Sequence, residues 1–327
     1  MTTLVTGGAG YIGSHTVRLL RESGRDVVVL DSLELGHEAA LLGADLVTGD
    51  IRDRDLVQQV CRDRSVDQVV HFAAYKSVGE SMEQPAKYWR NNVAGSVELI
   101  EALLEVGVDQ IVFSSSCSVN GTPATVPVTE DAPIAPESVY AESKAMVEKI
   151  LGWYGLTRGV RSVSLRYFNA AGASADARIG EDWTHSINLV PVVMKATLGR
   201  RPPVQVLGTD YPTPDGTCIR DYIHVDDLAD AHAKALGYLA AGGSTTSLNV
   251  GTGVGSSVLD VIRATERISG RPVPYEIVGR RAGDAVATYA DPTRIAAVLG
   301  WHATRDLDDI IATAWRWHST HLDGYGA

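Results

Sequence analysis

The stretch that decides the fold is TGGAGYIGSH, residues 6–15, which follows a β-branched run and opens a helix-like segment. Its glycines at positions 8, 10 and 13 satisfy the pattern Gly-x-Gly-x-x-Gly. Glycines at this spacing permit a tight turn, close approach of a ligand to the backbone, and close packing of helix on strand. The helix N-terminus adds free N–H groups and the positive end of the helix dipole. The stretch therefore predicts a binding site for the pyrophosphate of a dinucleotide.

Carboxylates at the ends of the next two strand-like runs extend this prediction. Asp31 ends the second run, 18 residues after Gly13. A carboxylate there suits a ribose diol and repels a 2′-phosphate, so NAD is favoured over NADP. The alternative is that Asp31 only caps a loop, but the surrounding strand–helix–strand context favours the nucleotide. Asp50 and Ile51, at the end of the third run, are candidates to frame the adenine, with an ordinary turn as the alternative.

The first half of the chain alternates short apolar runs with helix-like segments. The runs cover residues 3–7, 26–31, 45–50, 68–74 and 110–116. Strands that alternate with amphipathic helices imply parallel βαβ units with right-handed crossovers. The runs are continuously apolar, as expected when both faces of a sheet are covered. We therefore predict the α/β class, with a doubly wound parallel Rossmann sheet.

The second half has a different rhythm, richer in Gly, Pro and turn residues from about Ala175. We predict a dinucleotide-binding domain over residues 1–175 and a smaller, discontinuous α/β substrate domain over most of 176–327. A segment near 220–255 should return to the first domain, because SLNVGT around Leu248 resembles a strand of the main sheet. Near the C-terminus, Trp315 and Trp317 belong to an amphipathic helix and are interpreted as packing residues.

Composition limits the function classes. The 327 residues are 45% hydrophobic and carry a formal net charge of −11 without a dense Lys/Arg run, so we expect no binding to nucleic acid or to an anionic membrane. The three cysteines, Cys61, Cys117 and Cys218, are too scattered for a disulfide framework or a metal site. The chain enters a strand pattern at once and has no apolar run of 18 residues. We therefore expect a soluble, cytoplasmic protein.

A cluster of reactive side chains is predicted from VYAESK, residues 139–144. Tyr140 and Lys144 are four residues apart and share one helix face. A phenol has a pKa of about 10, too high for a base at neutral pH. We expect the Lys144 ammonium and the positive nicotinamide ring of NAD to lower that pKa. Ser116, at the end of a strand, is positioned to relay a substrate proton, so the trio predicts removal of a proton from an alcohol whose hydride passes to the cofactor.

Longer motifs carry a family resemblance. They are residues 3–15, 71–96, 113–121, 139–148, 166–173 and 210–232. Together they resemble the extended short-chain dehydrogenase/reductase superfamily and, within it, the UDP-glucose 4-epimerase family over nearly the whole chain. The resemblance implies tightly bound NAD that oxidises a UDP-hexose at C4. It also implies a 4-keto intermediate that rotates about its phosphate linkage in the site and is then reduced on its other face. It also implies a homodimer formed through two long helices, one starting near Asn91 and one containing Tyr140.

The resemblance also assigns binding residues. For the cofactor it implies Gly7, Gly10, Tyr11, Ile12, Gly13, Asp31, Asp50, Ile51, Phe72, Ala73, Ala74, Lys76, Asn91, Ser114, Tyr140, Lys144 and Tyr167. For the UDP-sugar it implies Lys76, Ser116, Tyr140, Asn169, Asn188, Leu189, Arg220, Tyr222, Arg281, Asp284 and Thr288. In this set the two arginines would pair with the diphosphate. The alternatives are that Asn169 only fixes a turn, that Lys76 is solvated, and that Arg220 pairs with Asp221 or Asp226.

Two positions depart from the family pattern. Asn120 stands where the family usually has Tyr, which should alter packing beside the site. Thr288 stands where a bulky Tyr often faces the sugar, so we expect extra volume beside C2 and acceptance of N-acetylated UDP-hexoses.

Competing functions remain open. A 4,6-dehydratase would need an acidic pair after Ser116, where the chain has Cys117 and Ser118. Another UDP-sugar dehydrogenase or decarboxylase, and a non-catalytic NAD-binding sensor, are the alternatives. The presence of Tyr140 and Lys144 argues against the sensor.

Overall fold

A computed structural model describes residues 1–184, 186–281 and 283–326. Its strands are β1 Thr2–Thr6, β2 Asp26–Asp31, β3 Asp45–Thr48, β4 Val66–His71, β5 Gln110–Ser114, β6 Arg161–Tyr167, β7 Asn169–Ala171, β8 Val204–Leu207, β9 Ile219–His224, β10 Thr246–Val250, β11 Gly255–Ser257, β12 Tyr275–Val278 and β13 Ala287–Thr288. Its α-helices are α1 Tyr11–Glu22, α2 Arg54–Arg64, α3 Val78–Glu83, α4 Pro85–Tyr88, α5 Gly95–Glu105, α6 Val139–Arg158, α7 Leu189–Thr197, α8 Val225–Ala240, α9 Val258–Ser269, α10 Thr293–Leu299 and α11 Leu307–Thr320. Two 3₁₀ turns, Glu38–Leu41 and Cys117–Asn120, and one π-helical turn, Trp89–Ala94, complete them.

Seven parallel strands form the main sheet, in the order β10-β6-β5-β4-β1-β2-β3. The five strands expected in the first half are all present, and the predicted doubly wound α/β class is confirmed. The predicted returning strand is β10, which pairs in parallel with β6 at one edge. The strand order reverses between β1 and β4, and such a switch point opens a crevice at the carboxyl ends of the strands.

Both faces of this sheet are buried, as the apolar runs predict. Leu4 and Val5 are neighbours on β1, point to opposite faces, and are both fully buried. Val5 packs with α1 and α8, represented by Val17 and Leu236. Leu4 packs with α2, α5 and α6, represented by Leu103. The sheet therefore presents its strand ends to ligands from a rigid, two-sided core.

A second region lies beside the sheet. Strand β9 pairs in parallel with β7 and β13 and antiparallel with β11, while β8 pairs with β12. Helices α7, α9 and α11 enclose a separate core that includes Met194, Val261 and Ile311. Trp317 on α11 is buried, in agreement with the packing interpretation. Over the described residues, none of the helices combines the length and apolar character needed to cross a bilayer.

Candidate active site

A cavity of about 300 Å³ lies at the carboxyl ends of β1, β2, β4 and β5. Its walls are built from the turns that follow these strands and from the first turns of α1 and α6. This is the edge at which open α/β sheets bind ligands. All seventeen residues that the family resemblance implies for the cofactor line this one cavity.

The glycine turn shapes one wall. Gly7 has a φ of +71°, and a Cβ there would lie 2.6 Å from the Ala73 nitrogen. A Cβ on Gly13 would lie 2.4 Å from the Gly7 carbonyl oxygen. Both positions therefore require glycine for backbone packing. Gly10 precedes α1 without a side-chain cap, so the N–H groups of the first turn are available to an anion in the cavity.

Asp31 supports the adjoining wall. Its carboxylate accepts hydrogen bonds from the Ala9 and Leu33 nitrogens, each at 2.9 Å. The side chain is buried and lines the cavity. Each carboxylate oxygen has a further lone pair, so these bonds leave capacity for a ligand diol. Asp31 thus braces the glycine turn and also presents an acceptor to the cavity.

Tyr140 and Lys144 lie in the first two turns of α6. The helix begins after Ser138, whose hydroxyl accepts from the Ala141 nitrogen at 3.2 Å. The Lys144 ammonium donates to the Ser114 carbonyl oxygen at 2.8 Å, which fixes α6 against the end of β5. Both side chains are buried and line the cavity.

Burial dominates the electrostatics of this pair. Burial raises the pKa of Tyr140 far above its ordinary value, and the hydrogen-bonding Ser116 hydroxyl opposes that rise. Burial also lowers the pKa of Lys144 to about 7, against an upward contribution from Glu148. Without the cofactor the Tyr140 pKa is thus shifted upward, because desolvation outweighs the Ser116 hydrogen bond, and the lowering expected from the Lys144 ammonium and the nicotinamide ring together stays a prediction.

Ser116 caps the short turn that follows β5. Its hydroxyl accepts from the Ser118 nitrogen at 3.2 Å and from the Ser118 hydroxyl at 2.9 Å. Burial raises the pKa of the neighbouring Cys117 thiol to about 12, which disfavours the thiolate that a nucleophilic cysteine requires. Within the described residues, no three His, Cys, Asp or Glu side chains are grouped so as to hold a metal ion.

A helical irregularity carries Asn91 to the cavity. The helix from Pro85 to Glu105 contains the π-helical turn Trp89–Ala94, and such turns often occur at functional sites. Asn92 in this turn is buried, accepts from the Tyr75 nitrogen at 2.9 Å and donates to the Tyr75 carbonyl at 3.0 Å. Asn91 beside it faces the cavity. The turn therefore positions one asparagine for structure and the next for a ligand.

Two arginines converge on one carboxylate outside the cavity. Arg220 approaches Asp284 at 3.4 Å and Arg281 approaches it at 2.5 Å. The alternative pairing of Arg220 is wrong, because Asp221 accepts from the Thr252 and Ala290 backbones instead. Asp226 likewise pairs with a different residue, His15, at 2.6 Å.

Thr288 lies beside this cluster, directly opposite Arg220 in the β13–β9 pairing. Asn169 on β7 is exposed and stands opposite Tyr222 on β9, and its amide donates to the Asp221 carbonyl at 3.1 Å. That bond fits the alternative that Asn169 fixes local structure, but it leaves the amide oxygen free for other contacts.

Glu181 connects the cavity to the α7 end of the second region. It is buried and lines the cavity, and it accepts from the Asn188 amide at 3.0 Å. Asn188 precedes α7, which begins at Leu189. The Lys76 ammonium lies 3.9 Å from Glu181, although its side chain is 65% exposed. Lys76 is thus both largely solvated and within reach of the cavity.

Asn120 has a structural role beside the site. Its amide nitrogen donates to the Ala132 carbonyl at 3.1 Å and to the Pro133 carbonyl at 3.0 Å. The side chain is buried. Asn120 therefore ties the loop after the 3₁₀ turn to the strand end that carries Ser116.

Several cavity residues were not predicted from the sequence. They are Glu34, His37, Arg52, Tyr75, Glu181, Asp182 and Tyr325. Arg52 and Tyr75 adjoin predicted residues, and extending the strand-end motifs by one position would have found them. Tyr325 comes from the far end of the chain, and no local pattern signals its place.

The comparisons with known proteins all point to one protein family. A model of the family described as "NAD dependent epimerase/dehydratase family" matches residues 3–251. A UDP-glucose 4-epimerase from Lacticaseibacillus casei is 45% identical over 100% of this chain and 99% of its own length.

Solved structures give the same result. A UDP-glucose-4-epimerase from Stenotrophomonas maltophila, with bound NAD and formylated UDP-arabinopyranose, is 42% identical and has a TM-score of 0.96, covering 98% of this chain and 99% of its own. One from Bifidobacterium longum, in complex with NAD⁺ and UDP, is 38% identical with a TM-score of 0.92, covering 99% of this chain and 100% of its own.

Proposed function

This chain belongs to the NAD-dependent epimerase/dehydratase family, and on that premise we propose that it interconverts UDP-glucose and UDP-galactose with tightly bound NAD. The observation that carries the proposal is that Tyr140 and Lys144 line the same cavity as the glycine turn. A base and a dinucleotide site that share one cavity can act on the same carbinol. The relatives with bound NAD, one also with formylated UDP-arabinopyranose and the other with UDP, support the choice of ligands.

The residues present fit the cofactor. The uncapped first turn of α1 suits the pyrophosphate, and Asp31 suits the adenosine ribose. When bound, NAD would supply the hydride chemistry, as acceptor from the sugar C4 and donor to the opposite face of the sugar ring. Tyr140 takes the C4 hydroxyl proton and later gives it back, and Ser116 hydrogen-bonds that hydroxyl.

The charge of Tyr140 depends on its surroundings. Protein burial alone keeps the phenol protonated, since it raises the pKa of Tyr140. A positive ring beside the phenol favours the phenolate. Oxidised NAD, when bound, would supply the positive charge that favours the phenolate, and Lys144 would hold the strand end through its bond to the Ser114 carbonyl oxygen.

The UDP half is assigned to the second region. Arg220 and Arg281 suit a diphosphate, because their guanidinium groups already converge on one anionic point at Asp284. Asn169, Asn188, Leu189 and Tyr222 complete the sugar-nucleotide contacts in this proposal, with Lys76 near both ligands. The division into a cofactor domain (residues 1–175, with the returning strand) and a UDP-sugar domain follows the same assignment.

Thr288 sets the proposed substrate range. Its side chain is smaller than the Tyr found in members restricted to plain hexoses, and it lies opposite Arg220. We propose that UDP-N-acetylglucosamine and UDP-N-acetylgalactosamine are also interconverted.

The proposed assembly is a homodimer in the cytoplasm. Helix α6 exposes Met146, Trp153 and Leu156, which are 41%, 60% and 82% accessible. These apolar side chains fit a contact with the same helix face of a second copy. A Trp153→Glu variant should sediment as a monomer, whereas an unchanged sedimentation coefficient would refute this interface.

One experiment tests the proposed reaction. The purified protein is mixed with UDP-galactose without added cofactor, and the products are resolved by chromatography. Formation of UDP-glucose to a fixed equilibrium ratio, with no net consumption of NAD, supports epimerisation. A keto or acid product with stoichiometric NADH would favour the dehydrogenase or decarboxylase alternative. Binding of NAD with no turnover of any UDP-sugar would favour the sensor.

A further inference from the structure

Three side chains of the cavity wall have no part in the proposed reaction. They are His37, Asp182 and Tyr325, which line the same cavity as the glycine turn. His37 follows β2, Asp182 lies between β7 and α7, and Tyr325 belongs to the C-terminal segment after α11. We call these three residues the clasp.

The clasp residues contact one another directly. The His37 Nε2 atom lies 2.8 Å from an Asp182 carboxylate oxygen. The His37 ring stacks on the Tyr325 ring with centroids 4.9 Å apart and planes at 24°. These contacts join the loop after β2, which carries the ribose-side wall, to segments that are more than 140 residues distant in sequence.

The C-terminal side of the clasp is anchored independently. The Tyr325 hydroxyl donates to the Gly180 carbonyl at 2.9 Å and accepts from the Gly180 nitrogen at 3.0 Å. Burial raises the pKa of Tyr325 to about 12, so the phenol keeps the proton that the first bond needs. The ring also packs at 5.0 Å on buried Trp317.

The fit beneath the clasp is close. A Cβ on Gly324 would lie 2.9 Å from an Asp182 carboxylate oxygen, so the backbone of the tail rests on this side chain. The Asp182 side chain is 18% accessible and that of His37 is 35% accessible. The clasp is therefore a packed junction at the rim and not a loose surface pair.

We propose that the clasp retains NAD, by locking the C-terminal segment and the loop after β2 together as one wall of the cofactor cavity. This proposal rests on the proposed function. Walls contributed by separate segments must part before a ligand beneath them leaves, so contacts between the walls slow dissociation. The clasp residues are positioning residues, because they act on the cofactor through the wall that they form.

The test measures cofactor exchange. Wild-type protein, His37→Ala, Tyr325→Phe, Tyr325→Ala and the His37→Ala/Tyr325→Ala double variant are incubated with excess isotope-labelled NAD. Bound NAD is recovered by desalting at intervals and its label is read by mass spectrometry. His302→Ala and Tyr275→Ala, which alter an exposed histidine and an exposed tyrosine outside the cavity lining, are the matched controls.

We expect NAD exchange to accelerate about tenfold in His37→Ala and Tyr325→Ala, since the loss of one hydrogen-bonded or stacked partner corresponds to about a tenfold change in dissociation. Tyr325→Phe should fall between these variants and wild type, because it keeps the ring and loses the Gly180 bonds. The double variant should exchange no faster than the faster single variant, since breaking either contact opens the same wall. The circular-dichroism spectrum of every variant should match that of wild type, which shows that each variant is folded.

Exchange at the wild-type rate in both alanine variants would overturn the clasp. An independent, multiplicative effect in the double variant would also overturn it, because separate packing defects behave in that way. These results are distinct from failure of the proposed function, which would appear as wild-type protein that neither contains NAD nor takes it up.

Discussion

The Lys144 ammonium donates a hydrogen bond to the Ser114 carbonyl oxygen at 2.8 Å. This bond ties the helix that carries Tyr140 to the strand end that leads to Ser116. It therefore sets the spacing of the three residues proposed for catalysis. It also holds a buried amine whose pKa is lowered to about 7, with consequences that can be measured.

Tyr140→Phe should abolish most of the turnover. The variant keeps the ring and its packing but loses the group that exchanges the substrate proton. A positioned acid or base contributes about 10²–10⁴-fold, so we expect a fall in kcat of at least about 100-fold, with KM for UDP-galactose changed little. Steady-state kinetics with a coupled UDP-glucose assay measures it. Tyr238→Phe, which loses two exposed hydrogen bonds, with the hydroxyl and with the backbone nitrogen of Ser244, is the control and should keep wild-type kcat.

The stability of the protein should depend on pH through Lys144. Burial lowers the pKa of Lys144 to about 7 from an ordinary value of 10.5. Between these values the unfolded chain binds a proton that the folded chain does not, so the free energy of unfolding should rise as pH increases from about 7 toward 10. Urea denaturation at several pH values measures the slope. Lys144→Met should show a smaller slope, and an equal slope in the two proteins would contradict the assignment.

Thr288→Tyr should narrow the substrate range. A larger ring opposite Arg220 would occupy the volume proposed for an N-acetyl group beside C2. We expect kcat/KM for UDP-N-acetylglucosamine to fall at least about tenfold, a change equivalent to roughly 1.4 kcal/mol, while UDP-glucose turnover persists. Thr288→Val keeps the volume and serves as the control. Equal losses with both substrates would place Thr288 outside the specificity pocket.

Glu148 and Arg166 form a buried ion pair that should matter for folding. Their closest atoms are 2.6 Å apart, and their side chains are 9% and 7% accessible. Glu148→Gln leaves the guanidinium without its counter-charge, so we expect a loss of about 3–5 kcal/mol in the free energy of unfolding. Glu148→Gln/Arg166→Met should lose less than the single variant. Urea denaturation of the single and the double variant measures both losses. A double variant less stable than Glu148→Gln would contradict the assigned role of the ion pair.

The sheet and the cofactor wall were largely predictable, because local patterns determine them. Continuous apolar runs identify parallel strands, and strand ends of a parallel sheet meet at one edge, so Gly13, Asp31 and Tyr140 could be brought together from sequence alone. The return of β10 was also visible, in the apolar run around Leu248.

What could not be predicted depends on contacts between distant segments. Tyr325 reaches the cavity only because α11 packs on the second region. The protonation of Tyr140 depends on burial, which neighbours in sequence do not reveal. Arg220 finds Asp284, not the nearer Asp221, because backbone amides at Thr252 and Ala290 already occupy that carboxylate.

Strand β10, the last strand along the chain to join the main sheet, has a consequence for how this protein can be made. Strand β10, Thr246–Val250, closes the sheet beside β6, and α8 just before it covers one face of the core. A ribosome must therefore synthesise about three quarters of the polypeptide before the nucleotide-binding half can finish its own layer. Until then β6 remains an unpaired edge above uncovered apolar side chains, a state open to aggregation. Fragments that stop before α8 should accordingly be recovered in inclusion bodies and not as an autonomous module.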